Sequence, residues 1–181
     1  MLRILNQEGS ATAKYHAILT FERKELIYDI RNYAYVEGHI MPAEAEHAKH
    51  IIEDIGEEGN IDRVTRLLNL YHAVIVEALY PYTKTDVVTA EEAVPWTDKL
   101  EEVEQYRIDL YLPETFSQTT INLLEHWIHE FLVCRCLADW MSIANTEKSI
   151  VWMTKAEEAK TEIGKITHHR KSTVRRKMNP F

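Results

Sequence analysis

A mainly α fold, a small helical bundle of about five helices with a short β-hairpin insertion, is what this sequence predicts. Three observations carry the expectation. Apolar residues recur at helical spacing in five stretches; the run beyond Trp127 is apolar nearly all round; and one short stretch, Tyr106 to Pro113, alternates instead. With 181 residues, 45% hydrophobic and 28% charged, and only five Gly and five Pro, the chain has the composition of one globular domain. A domain of this length buries roughly 70% of the surface its unfolded chain exposes.

The expected organisation is a single domain over 1–181. Residues 1–19 show no sustained period and read as an N-terminal arm. Residues 20–80 hold three helices. In the first, from Phe21 to Glu37, Leu26, Ile27, Ile30, Tyr33 and Ala34 share one face, with Thr20 as cap and Gly38 as terminator. Pro42, followed by Glu44 and Glu46, suits the first turn of the second helix, which buries Ala48, Ile51, Ile52 and Ile55. Gly59-Asn60 opens the third, and Ile61, Val64, Leu67, Leu68, Tyr71, Val74, Ile75 and Ala78 keep helical spacing until Pro81.

Residues 81–114 form a long connection in which the period vanishes. Thr85 to Thr89 reads as one strand and Tyr106 to Pro113 as its hairpin partner, with Tyr106, Ile108, Leu110 and Leu112 on one side. Residues 115–167 carry two more helices. The fourth starts near Ser117 and ends near Ile143, and a helix without a solvated face is a buried one. The last begins at Thr146, with Trp152, Ala156, Ala159, Ile163 and Ile166 along one stripe and Lys155, Glu158, Lys160, Glu162 and Lys165 opposite.

The longest apolar stretch, Phe131 to Met141, contains Arg135 and Asp139 and falls short of the roughly 20 residues a membrane span needs. Residues 1–6 lack the apolar core and cleavage site of a secretion signal, so a cytoplasmic location is expected. Cys134 and Cys136 point about 200° apart around a helix, which suits two small buried hydrophobes in a reducing compartment. Arg135 and Asp139, four apart on the central helix, are expected to form an ion pair within the core.

Candidate chemistry is sparse. A di-iron bundle needs two Glu-x-x-His pairs, and only Glu44-Ala-Glu-His47 fits. His47 with His50 and His126 with His129 have a spacing that allows a mononuclear metal site. The chain resembles the DinB-like four-helix metalloproteins in size and helix count, which makes a metal-dependent enzyme the alternative reading. These histidines sit among polar neighbours, so no metal, no cofactor and no catalytic residue is assigned to them. No nucleophile paired with a base, no Gly-rich phosphate loop and no Cys-x-x-Cys motif occurs.

Charge is divided unevenly. The net charge is −8, yet residues 168–181 carry Arg170, Lys171, Arg175, Arg176 and Lys177 with no acid, which leaves −13 for the remainder. These five residues and the terminal Phe181, a hook after Asn-Pro, are the expected partner-binding group. Their partner is an acidic protein surface or, in a second alternative that makes the protein a regulator, nucleic-acid phosphates.

Three strings carry a family resemblance over the C-terminal half: Tyr106-Arg-Ile-Asp-Leu-Tyr-Leu-Pro-Glu-Thr-Phe116, Leu124-Glu-His-Trp-Ile-His-Glu-Phe-Leu-Val-Cys-Arg-Cys-Leu-Ala-Asp-Trp140 and Trp152-Met-Thr-Lys-Ala-Glu-Glu-Ala-Lys160. In them the chain resembles the small helical head-tail connector, or adaptor, proteins of tailed phages and prophages. The resemblance implies a strand-bearing insertion, a buried helix and a charged last helix. It also implies a non-enzymatic virion component that forms homo-oligomers and contacts other virion proteins. It transfers no catalytic residue.

Overall fold

The computed structural model describes residues 3–6, 14–42, 46–83, 100, 102–113 and 116–168. Two strands precede the first helix, β1 (Arg3–Asn6) and β2 (Lys14–Glu22). With β3 (Gln105–Pro113) they form an antiparallel sheet in the order β1-β2-β3. In the β2–β3 register Ala17 lies opposite Leu110, Leu19 opposite Ile108 and Phe21 opposite Tyr106. All six side chains are buried. Alternation thus turns one face of the sheet inward, while His16, Thr20, Arg107, Asp109 and Tyr111 point the other way.

The mainly α bundle with a short antiparallel β element is as expected, and the sheet corrects only the arm and the strand that partners β3. Residues 14–22, read as part of an arm leading into a helix, are a strand. The partner of β3 is this N-terminal strand, and no residue of the 81–104 connection takes that place in the register. Thr85 to Thr89 lies outside the described residues. Thr20 pairs with Arg107 inside the sheet and does not cap a helix. Strand pairing is nonlocal, so the period of β2 becomes meaningful only when β3 supplies its ladder.

Helix α1 (Arg23–Ile40) follows β2 directly, with Glu22 in the cap position and no side-chain cap bond. Its buried stripe is Leu26, Ile30, Ala34 and Gly38. Gly38 does not end the helix. It admits the neighbouring helix α2 (Glu46–Glu53), because a Cβ there would stand 2.9 Å from the Glu53 Cγ. A 3-10 turn (Asp54–Gly56) leads to α3 (Glu58–Ala78), which buries Val64, Thr65, Leu68, Tyr71 and Ile75. Pro81 lies in a single turn, α4 (Tyr80–Thr83), whose Tyr82 hydroxyl donates to the Thr167 carbonyl at 2.8 Å.

Helix α5 (Gln118–Ala144) is the centre of the molecule, with twelve buried residues spread around its circumference. Ser117 caps it, its Oγ accepting from the Thr120 N–H at 3.2 Å. Asn145 ends it and also opens α6 (Thr146–His168), where its side-chain oxygen accepts the Lys148 N–H at 3.1 Å. The two helices form the most extensive contact in the fold, and Trp152, Ala156, Ala159, Ile163 and Ile166 are all buried, as their spacing required. Fully burying each of the larger residues contributes roughly 1.5–3 kcal/mol.

Arg135 and Asp139 do not pair with each other. Tyr71 stands between them: its hydroxyl donates to Asp139, and the Arg135 guanidinium lies 5.0 Å from its ring centroid while also meeting the Met153 sulfur. An aromatic ring with a polar tip from α3 satisfies both charges where a direct contact was expected. Cys134 and Cys136 are buried free thiols. No helix among the described residues is long and apolar enough to cross a membrane.

Candidate contact surface

Outside its buried stripe α1 carries several exposed apolar groups. Tyr28 is 69% exposed, Ile40 67% and Tyr35 53%, and Val36 is exposed as well. Tyr35 stacks against His39 with centroids 4.4 Å apart. Glu37 pairs with Lys148 of α6 at 2.7 Å, and elsewhere on α6 Ile150, 62% exposed, and Val151 stand in solvent. Large apolar side chains of both α1 and α6 thus stand in solvent.

Beside Tyr28 a cleft of about 720 Å³ separates the first half of α1 from the first turns of α3. Ile27 and Ile61 form its apolar lining; Arg23, Lys24 and Arg31 stand on the α1 side and Glu58 and Asp62 on the α3 side, with Glu102 at the rim. Arg23 is held in place: its Nη2 donates to the Thr65 Oγ1 at 2.8 Å, and its Nη1 approaches Glu102 at 3.6 Å. Its Nε is buried without a hydrogen-bond partner. Arg31 lies over Gly56, where any Cβ would collide with its side chain. Lys24, Arg31, Glu58 and Asp62 have no ion-pair partner among the described residues, although both signs line the same cleft.

A smaller hollow of about 320 Å³ shares Lys24 and Tyr28 and adds Glu25, Asp29 and His129. His129 Nε2 lies 2.8 Å from the Asp29 carboxylate, joining α5 to α1. On the outer face of the sheet His16 stacks on Tyr111, 4.8 Å away, and shares Asp109 with Arg107, whose Nε and Nη2 donate at 2.9 and 2.6 Å. Those Arg107 bonds, and to a lesser degree His16, hold the Asp109 carboxyl below its ordinary value of 3.8. At the free edge of β3, His72 Nε2 lies 3.1 Å from the Arg107 carbonyl, and burial lowers the imidazole below its ordinary 6.5.

The histidines singled out in the sequence do not converge. His50 is exposed and reaches only its helical neighbour Glu46 at 4.0 Å, His47 and His126 are exposed, and His129 takes Asp29. Among the described residues no three His, Cys, Asp or Glu side chains are close enough to hold a metal ion. Arg170, Lys171, Arg175, Arg176, Lys177 and Phe181 lie outside the described residues. The cleft was missed by sequence reading, and the available signal was faint: Tyr28, Asn32, Tyr35 and His39 fall at helical spacing on a face that should have been charged. No protein family matches this chain, and neither a curated protein nor a solved structure does.

Proposed function

We propose that this chain is a non-enzymatic structural or assembly protein of the head-tail connector kind, acting through protein-protein contacts. The observation that supports the reading is the number of large apolar side chains, Tyr28, Tyr35, Val36, Ile40, Ile150 and Val151, that stand in solvent on α1 and α6 of a well-packed bundle. Several large apolar side chains left in solvent on a packed bundle suit a contact surface. In this proposal the acidic body and the basic tail of neighbouring copies meet in a closed ring, with the tail residues Arg170 to Phe181 as the contact group.

Sedimentation and negative-stain imaging of the full chain and of a chain lacking residues 168–181, over a range of salt concentrations, test the reading. Closed oligomers that weaken with salt and are lost on the deletion support it. Particles of one size in both chains at every salt concentration refute it.

A further inference from the structure

We propose that the α1/α3 cleft is a two-fold contact site for a second copy of this chain. The proposal deepens the assembly reading and rests on it, since it names the surface and the partner, but it makes no use of the tail.

Four charges share the cleft without pairing across it. Lys24 and Arg31 are two turns apart on α1; Glu58 and Asp62 are one turn apart on α3; all four are exposed, and none has an ion-pair partner among the described residues. Opposite walls of opposite sign are self-complementary under a two-fold axis. The cations of one copy face the acids of the other, and the same contact is repeated in reverse. A single small anion fits poorly, because the acids on the α3 side repel it. A purely cationic partner meets the guanidinium and ammonium groups of α1 for the same reason.

The apolar component agrees with the charges. Ile27 and Ile61 line the cleft, and Tyr28 stands at its lip more exposed than any other large apolar side chain of the described residues. Under the two-fold operation each Tyr28 enters the cleft of the other copy, covering both isoleucines and removing its own ring from water. Arg31 is seated for this purpose by Gly56, whose missing Cβ leaves the space its side chain occupies.

The test is a charge exchange. One variant carries Lys24→Glu with Arg31→Glu, the other Glu58→Lys with Asp62→Lys. Each alone sets like charges face to face and is expected to weaken self-association by about thirtyfold or more, the sum of several modest surface pairs. Mixed in equal amounts they recover a heterologous pair, because every wall again meets its opposite. Circular dichroism and thermal melting establish that each variant is folded, and Lys24→Glu alone serves where Arg31→Glu disturbs its seat on Gly56.

Recovery on mixing, seen by sedimentation equilibrium, supports the site. Self-association that is equal in wild type and both variants, a wild type that stays monomeric, or variants that weaken without recovering on mixing overturns it. The last two outcomes assign the cleft to another occupant. Tail-dependent rings with no response to charge exchange sink this inference and leave the assembly reading standing; recovery on mixing with no effect of the tail deletion does the reverse.

Discussion

Thr65 offers the sharpest stability test. It has no accessible surface, its hydroxyl donates to the Ile61 carbonyl at 2.9 Å, and the same oxygen accepts from Arg23 Nη2 at 2.8 Å. Thr65→Val keeps the volume and opens no cavity, so the substitution isolates the polar loss. The Arg23 side chain is only 16% exposed, and its other close partner, Glu102, is 62% exposed and 3.6 Å away, a pair worth little. Removing the one hydroxyl acceptor of a largely buried guanidinium costs about 2 kcal/mol. For a chain of this length that corresponds to a fall in Tm of about 4–8 °C.

Urea unfolding followed by circular dichroism measures the difference. The decisive arm is the double-mutant cycle: in an Arg23→Met background the same Thr65→Val change should cost under about 0.5 kcal/mol, because no donor is left stranded. If Thr65→Val costs the same in both backgrounds, the contact is not responsible and the reasoning fails.

Three further outcomes follow from buried titratable groups. His72 is held below its ordinary 6.5 chiefly by burial, so the unfolded chain takes up that proton first; its contribution is complete above about pH 6.5 and is lost as pH falls through the lower folded value. His72→Gln should lose less stability than wild type between about pH 7 and 5, and equal losses refute this. Tyr71, by burial and then by Asp139, and Tyr106, by burial, are pushed up to about 12, so they support the fold below pH 10 and cease to do so as pH rises toward 12. Of the nine tyrosines these two should ionise last, and a chain with both replaced by Phe should lack the final step of the tyrosinate absorbance titration; an unchanged step counts against the assignment. The Cys134 thiol is pushed up to about 12 by burial and Glu130, and burial raises Cys136 further, so thiol reagents should label neither in the folded protein and both after unfolding. Rapid labelling of either in native conditions contradicts their placement.

The helices were readable because their signals are local. The expected ends near Ser117 and Ile143 fall within a residue of those of α5, and the stripe from Trp152 to Ile166 required no knowledge of its partner. The contact between Gly38 and Glu53, the Tyr71 bridge between Arg135 and Asp139, and the seat of Arg31 on Gly56 were not readable. Each joins positions whose spacing along the chain carries no period. The histidine pairs show the converse, for a spacing that allows convergence does not produce it without a third group from another helix.

From the order of its residues alone, this protein was determined to be a bundle around one buried helix, α5, because backbone hydrogen bonds and amphipathic period in a helix are closed within a few residues. Tertiary structure alone decided that Lys14–Glu22 is a strand, that it pairs with Gln105–Pro113, and that cations of α1 face acids of α3 across a cleft. A strand leaves its polar groups for a neighbour to satisfy, and a cleft exists only between two elements. Neither is a property of any one segment.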